Sequence, residues 1–554
     1  MIARVPPARK RDGPGIAASL VLALIVWPLY GSATRLWWTF DDFFCIHFLQ
    51  GKSPLGYLAS PELWRQHRMF TPLLLLSYQA DMLLFGLRPA AFRVHQLVAL
   101  AGAAVALFWV LRLWLAPGPA FLTSLLFLVG VPTGAWVQEL LVRHYIEGLL
   151  FAIASVWLFV KSLREERPRL GALSAVFYMA AVLCKEIYVP LPALLLVLPE
   201  GDSRSRWRRS RAHLVVLAVY LAWRYAVLGT LVGGYGWTTR LEDLPSLLRS
   251  LPGKVGASFV GDSALATGAL IAALAAGLAA ATFRRRGAGL LLLGALLLAL
   301  LPVVPVSGSF QARYGGLAWL AVAVAFGFGL RALWGRGSRF RALAGLLAAV
   351  ALAAAYAGNR IRWRESLGRA ERMSAEETFF LRMKDRELLR HPLAPPAAMK
   401  ELRWLKEEYL GLSRGAGWFA DDLYLCEPAR EIARIWQYRT ETRSIEDVTS
   451  LLSGIRASYC AGFRDVPLRA DFSHEGGDFS WDLGPYETGQ YAIVYGDGIE
   501  SFDVAPRAGY RHHAAVLRLR VRYEAPEGWV TFSPDISIDL RTNRRAHWER
   551  RPEK

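Results

Sequence analysis

The sequence predicts a polytopic α-helical membrane protein of about 11 transmembrane helices, followed by an extracytoplasmic α+β domain that ends in a β-sandwich-like part. Three observations predict this. Apolar runs recur along the first two thirds of the 554 residues, most of them near the length that crosses hydrocarbon. Basic residues collect in every second junction between the runs. Past residue 364 the composition turns polar and charged, with frequent Gly and Pro.

The apolar runs lie at about 15–33, 89–111, 119–136, 144–160, 170–184, 186–199, 214–230, 262–283, 287–306, 314–330 and 342–358. The first follows Arg9-Lys10-Arg11 and lacks a small-residue cleavage site, which reads as a retained signal-anchor helix. With the N-terminus cytoplasmic, the cytoplasmic segments 1–14, 112–118, 161–169, 200–213, 284–286 and 331–341 carry 21 Lys and Arg in 58 residues. The opposite segments 34–88, 133–143, 185–186, 230–261 and 307–313 carry 11 in 107, as the positive-inside rule requires. The same rule arbitrates two ambiguous stretches. Counting Thr71 to Leu87 as a span would move the basic loops 161–169 and 200–213 outside, so it reads as an interfacial or re-entrant helix. Residues 170–199 have basic clusters on both flanks, so they go out and return, with Lys185-Glu186 at the turn. Arms of about 15 residues reach only about 22 Å, which places that turn in a recessed, watered vestibule.

The resulting domains are 1–364, transmembrane, with a first extracytoplasmic loop at 34–88; 365–460, helical; and 461–554, β-rich. In the last, Leu517, Leu519, Val521 and Tyr523, then Ile536, Ile538 and Leu540, alternate with the period of half-buried strands. Trp481, Tyr491 and Trp529 read either as exposed rings for stacking on sugars or as core. Cys426 and Cys460 share this polar region and pair if it is extracytoplasmic; otherwise they are unpaired structural thiols. The net charge of +19 is accounted for by membrane orientation, which argues against a nucleic-acid partner.

On this threading the unusual polar residues fall at outer helix ends: Asp41 and Asp42 after the first span, Glu139, Arg143, His144 and Glu147 around the fourth, Lys185-Glu186, Arg224, and Arg313-Tyr314. Ionisable groups near hydrocarbon are costly, so several at one depth point to a water-filled site. One such residue alone reads as a snorkelling interfacial charge. The acid pair, within Trp37-Trp38-Thr39-Phe40-Asp41-Asp42-Phe43-Phe44, reads either as the cap of the following helix or as a carboxylate that takes a proton from an acceptor hydroxyl. His67 and His144 read as hydrogen-bonded bystanders rather than metal ligands. No tightly bound cofactor is expected, and a divalent cation is a candidate ligand of the acid pair.

These residues resemble the GT-C glycosyltransferases, membrane enzymes that include the protein O-mannosyltransferases and the aminoarabinose transferase of lipid A. The Asp41-Asp42 pair matches their first-loop acidic signature. Phe70-Thr71-Pro72-Leu73 to Ser77-Tyr78, Asp81 and Leu84-Phe85-Gly86-Leu87 are similar to the "RPL…LSY…D…LFGL" segment of the tetratricopeptide-bearing O-mannosyltransferase branch. Leu183-Cys184-Lys185-Glu186, with Pro190 and Pro192, stands where that branch has "LSKE". Trp136-Val137-Gln138-Glu139 with Arg143, Arg313-Tyr314, and Asn359-Arg360 with Trp363 follow in the same order, and the resemblance spans about residues 15 to 365. Two departures leave the acceptor open: Arg313-Tyr314 continues as Gly315-Gly316 instead of Tyr-Leu-Pro-Ser, and the repeat tail is absent.

The resemblance implies a glycosyltransferase of the bacterial inner membrane that moves a sugar from a polyprenyl-phosphate donor to a hydroxyl of a protein, lipid or polysaccharide at the outer face. It makes Asp42 the general base and Asp41 its positioning partner. The donor phosphate falls to Arg143, Lys185 and Arg313, and substrate contacts to Glu139, Glu186 and Tyr314. The alternatives are a polysaccharide polymerase or ligase using lipid-linked glycans, and a lipid or sugar transporter.

Overall fold

The structure, a computed structural model, describes residues 13–38, 41–49, 61, 64, 69–231, 244–259, 264–284, 294–304, 310–391, 402–426, 431–475, 478–495, 498, 500–511, 516–539 and 545–551. The chain forms two compact units: residues 1–38 with 48–370, and residues 39–47 with 371–554.

The first unit is helical. Its helices are α1 (Gly13–Tyr30), α3 (Pro72–Phe85), α4 (Pro89–Leu111), α5 (Pro117–Val129), α6 (Val131–Gln138), α7 (Arg143–Arg164), α8 (Pro168–Cys184), α9 (Leu191–Val197), α10 (Ser203–Leu228), α11 (Leu244–Phe259), α12 (Ala264–Arg284), α13 (Gly294–Val304), α14 (Gly316–Trp334) and most of α15 (Ser338–Arg382). The short helix α2 (Asp41–Leu49) lies mainly in the second unit. The starts at Pro72, Pro89, Pro117 and Pro168, among others, place proline in the first turn, where its missing N–H costs nothing. The start of α10 is capped by the Asp202 carboxylate on the Ser205 N–H, and its end by left-handed Gly229.

Among the described residues six helices are long and apolar enough to cross a membrane, and a seventh counts if α5 and α6, bent by 52°, form one span. The remaining apolar helices are shorter; α8, at 17 residues, reaches only about 26 Å. Many large side chains on these helices face outward, among them Leu20, Leu24, Val98, Val176, Val215, Leu301 and Leu346. Such a surface suits lipid and not water. Inside, helices are joined by hydrogen bonds as well as packing: Ser174 Oγ lies 3.1 Å from Ser155 Oγ and 2.8 Å from His213 Nε2, tying α7, α8 and α10.

Polar contacts sort the junctions into two ends. Glu200 accepts from Trp114 Nε1 (2.7 Å) and from Arg164, and Arg331 donates to the Trp114 carbonyl (2.5 Å). The basic junctions after α4, α7, α9 and α14 therefore meet at one end of the unit. At the other, Trp363 Nε1 bonds Ser32 Oγ (3.1 Å), and Asn359 bonds the Tyr30 hydroxyl (2.8 Å), which itself donates to the Leu128 carbonyl (2.6 Å). Asn359 and Trp363, singled out by resemblance, clamp α15 to α1.

The second unit differs from the helical segment expected at 365–460. After α15 the buried Lys406 ammonium takes the carbonyls of Phe380 in its last turn (2.8 Å) and of Met383 just past it (2.6 Å), and the chain forms a mixed sheet. Its strands are β1 (Glu387–Arg390), β2 (Gly417–Phe419), β3 (Arg434–Arg439) and β4 (Ser444–Asp447), in the order β2-β1-β3-β4. The first three pair in parallel. Strands of three to six residues, with neighbours such as Leu388 and Leu389 both buried, give no alternation to read.

Two further sheets follow. One joins β7 (Gln490–Tyr495), β8 (Glu500–Val504), β10 (Val516–Glu524), β11 (Val530–Phe532) and β12 (Ile536–Asp539). The other joins β5 (Leu468–Glu475), β6 (Asp478–Gly484), β9 (Arg507–Arg511) and β13 (Arg545–Arg550). They share one core that includes Ala470, Phe472, Phe479, Ile493, Leu519, Val521 and Ile538, the arrangement of a sandwich. The alternating positions Leu517, Leu519, Val521, Tyr523, Ile536 and Ile538 are its inward residues; Leu540 lies outside the described residues. Trp481 and Tyr491 are buried in this core, so their reading as exposed sugar-stacking rings fails; Trp529 packs on it and is partly exposed.

Cys426 and Cys460 form a disulfide, with Cα atoms 5.4 Å apart and a sequence separation of 34. Loop-closure entropy for a ring of this size is worth about 3–4 kcal/mol. Cys460→Ser is expected to lower the unfolding temperature of the second unit measurably, and reductant to lower the wild type to the same value; equal melting of all three states contradicts a stabilising bond.

Burial pushes the Glu500 carboxyl from its usual 4.5 up to about 7, and its Oε1 has no hydrogen-bond partner among the described residues. A folded-state value above the unfolded one means that stability is full below pH 4.5 and declines as pH rises through 7. The Glu500→Gln chain lacks this decline. Its stability advantage over wild type is expected to grow by up to ~3 kcal/mol between pH 4.5 and 8, read from denaturation midpoints; a pH-independent difference contradicts it.

Candidate functional site

Two ionic groups occupy the end of the helical unit opposite Glu200. The first centres on Arg143, whose side chain is fully buried at the start of α7. It forms an ion pair with Asp81 of α3, and its Nε lies 3.6 Å from Glu147 one turn along. The guanidinium also lies over the Tyr78 ring (4.2 Å). His95 of α4 completes the group, with Nδ1 2.9 Å from Asp81 and Nε2 3.8 Å from Glu147, and Ser77 donates to Glu147 at 2.5 Å. Arg143 is thus ion-paired with two carboxylates in the interior of the unit. A cation so enclosed sets how α3, α4 and α7 pack.

The second group is built where helices break. The end of α8 at Cys184 puts Lys185 in extended backbone, and Glu186–Tyr188 form a single 3-10 turn before Pro190 and Pro192 start the next helix. The Tyr188 hydroxyl bonds the Tyr145 carbonyl and that of Tyr178 the Val189 carbonyl (3.0 Å), so the turn is anchored on both sides. Lys185 Nζ lies 3.2 Å from Glu186 and 5.7 Å from the centre of the Tyr145 ring. Glu186 is also within electrostatic reach of Arg224.

Arg313 comes from the 3-10 turn Ala312–Gly315 ahead of α14, pairs with Glu139, and lies over the Tyr314 ring at 5.4 Å. Tyr145 and His144 are within electrostatic reach of Lys185, Glu186 and Arg313 together. The second group therefore gathers Glu139, Lys185, Glu186, Arg313 and Tyr314, with His144, Tyr145 and Arg224. Three cations face two carboxylates. Glu139 (39%), Glu186 (32%) and Arg313 (20%) are partly exposed.

The segment that carries Glu139 is held by residues the sequence reading passed over. Arg93, fully buried, donates to the Val137 and Gln138 carbonyls (3.2 and 2.9 Å), and Gln96 to those of Trp136 and Glu139 (2.8 and 3.1 Å). These are the orphan carbonyls of a helix that ends inside the apolar unit, and a guanidinium suits them. The departure Gly315-Gly316 has a physical reason here. A Cβ on Gly316 would fall 2.0 Å from the Trp136 indole, and one on Gly315 2.4 Å from Ser258 Oγ. With both absent, Trp136 Nε1 bonds the Arg313 carbonyl (2.8 Å), coupling the Glu139 and Arg313 segments.

Asp41 and Asp42 open α2, which belongs to the second unit. Asp42 is buried and within electrostatic reach of Glu377 near the end of α15; His47 stacks on Trp404 at 4.1 Å. The side chain of Asp41, and His67, lie outside the described residues. Asp81 stands in the motif already quoted; His95 and Arg93 could have been found from sequence as ionisable residues within an apolar helix. Among the described residues no group of three or more His, Cys, Asp or Glu side chains is placed to hold a metal. In comparisons with protein-family models, curated proteins and solved structures, nothing matches this chain.

Proposed function

We propose that this chain is a GT-C-type glycosyltransferase that moves a hexose or pentose from a polyprenyl-phosphate donor to an acceptor hydroxyl at the outer face of the inner membrane. On this reading eleven helices cross the bilayer from a cytoplasmic N-terminus, and the second unit is extracytoplasmic. The observation that carries it is the half-open group of Lys185, Arg313, Glu139 and Glu186 at one end of an apolar helical unit. An amphipathic lipid phosphate needs that combination: hydrocarbon for its tail and fixed cations at the surface for its head. The disulfide supports the side, because such bonds persist in oxidising compartments.

In the reaction the acceptor hydroxyl gives its proton to a general base, the role the sequence resemblance assigns to Asp42, as its oxygen bonds to the anomeric carbon. The bond from that carbon to the phosphate oxygen breaks, and the polyprenyl phosphate leaves with its added charge stabilised by Lys185 and Arg313. Glu139 and Glu186 orient the two cations, and Tyr314 lines the same place. Arg143 is a positioning residue, since Asp81 and Glu147 occupy it. Asp41 supports Asp42, with or without a divalent cation.

A transporter of lipid-linked sugars is the second reading, favoured by the buried Arg143–Asp81–His95–Glu147 network, a type of charge arrangement that also lines transport paths. Deletion of the gene, followed by mass spectrometry of surface glycans, glycoproteins and lipid-linked sugars, separates the two. One sugar missing from an otherwise complete acceptor, with its lipid donor still present outside, is expected. Donor trapped on the cytoplasmic side indicates transport, and an unchanged glycan profile overturns both.

A further inference from the structure

The second ionic group leaves one strong acceptor unused, Nε2 of His144. The residue is 3% exposed. Its Nδ1 lies 2.5 Å from the Leu141 carbonyl oxygen. A carbonyl only accepts, so Nδ1 carries the proton and donates, and Nε2 of the neutral ring presents a lone pair. That nitrogen is buried and has no hydrogen-bond partner among the described residues. A buried acceptor without a donor is unfavourable, and native structures satisfy nearly all such atoms with protein, water or ligand.

The surroundings narrow what the missing donor is. Lys185, Glu186 and Arg313 are charged side chains within electrostatic reach of the ring, and Tyr145 packs beside it with centroids 4.8 Å apart. The backbone that carries the ring is held on both sides of it. Arg143, one residue earlier, is held by Asp81 and Glu147, and the Tyr145 carbonyl, one residue later, receives the Tyr188 hydroxyl. An ionised phosphate has only acceptors and cannot satisfy Nε2. A hydroxyl can give its proton to Nε2.

We propose that His144 Nε2 accepts a hydrogen bond from a sugar hydroxyl of a ligand whose phosphate is held by Lys185 and Arg313, making His144 the residue that tells a sugar-bearing lipid phosphate from a bare one. The inference rests on the donor reading above and adds to it the group that reads the sugar.

The test uses the purified full chain in lipid nanodiscs with farnesyl phosphate, and with farnesyl phosphate carrying glucose, mannose, galactose or arabinose. The informative variant is His144→Asn, whose side-chain amide keeps a donor toward the Leu141 carbonyl while deleting the Nε2 acceptor. Wild type is expected to bind at least one sugar-bearing probe tenfold or more tightly than the bare one. His144→Asn keeps the melting temperature and the bare-phosphate affinity and loses that preference. With histidine labelled by nitrogen-15, the Nε2 resonance of His144 moves on adding the preferred probe and stays in place with farnesyl phosphate.

Retained preference in His144→Asn, or an Nε2 resonance indifferent to the sugar, means that water alone satisfies the nitrogen; the inference then fails while the donor reading stands. A wild-type chain that binds the bare and sugar-bearing probes equally also overturns the inference alone. A wild-type chain that binds neither kind of probe overturns the donor reading and this inference together.

Discussion

An Asp42→Asn chain is expected to accumulate and melt like wild type and to transfer sugar at no more than about one hundredth of the wild-type rate. Asp42 is buried at the start of α2, within electrostatic reach of Glu377. Asparagine matches its size and does not add charge beside that second carboxylate, so the fold tolerates the change. What disappears on the proposed reading is the capacity to accept a full proton from the attacking hydroxyl. Timed incorporation of the missing sugar in deletion cells complemented with either gene reads the rate. Normal incorporation by Asp42→Asn, with normal protein levels, removes Asp42 from the role of base.

Arg143→Met produces the largest expected loss of stability. The guanidinium is fully buried between Asp81 and Glu147, and removing one partner of a buried ionic group leaves the others uncompensated, at a cost of about 3–5 kcal/mol. Thermal unfolding in detergent should show a large drop for Arg143→Met and substantial recovery when Asp81→Asn and Glu147→Gln are added. If Arg143 served the donor phosphate, as the sequence expectation had it, Arg143→Met would instead melt normally and lose lipid-phosphate binding.

The comparison between sequence and structure divides along physical lines. Long apolar helices and strand alternation were readable because burial on one face repeats at a fixed period, as in Leu517, Leu519, Val521 and Tyr523. The break at Lys185-Glu186 was readable too, because a charged pair between two apolar runs has few places to go, and the chain does turn there.

The mixed sheet at β1 to β4 was not, since short parallel strands buried on both faces leave no period. Nor could the sequence say which charge would pair with which. Arg143 and Lys185 looked alike as cations at helix mouths, yet Arg143 is enclosed by acids from its own helix and from α3, a matter of tertiary packing. Gly315-Gly316 looked like a departure from a motif and is the space that Trp136 and Ser258 fill. Arg93 showed itself as a charge within an apolar helix, but its partners are backbone carbonyls, which a sequence does not display.

The claim on which the account depends is that Lys185 and Arg313 form the seat of a lipid phosphate. Electron cryomicroscopy of the full chain in nanodiscs containing farnesyl phosphate tests it most directly. The account predicts phosphate density within hydrogen-bond distance of Lys185 Nζ and the Arg313 guanidinium, with the acyl chain running back along the apolar helices. Phosphate density elsewhere on the protein, with Lys185 still on Glu186 and Arg313 still on Glu139, would contradict it.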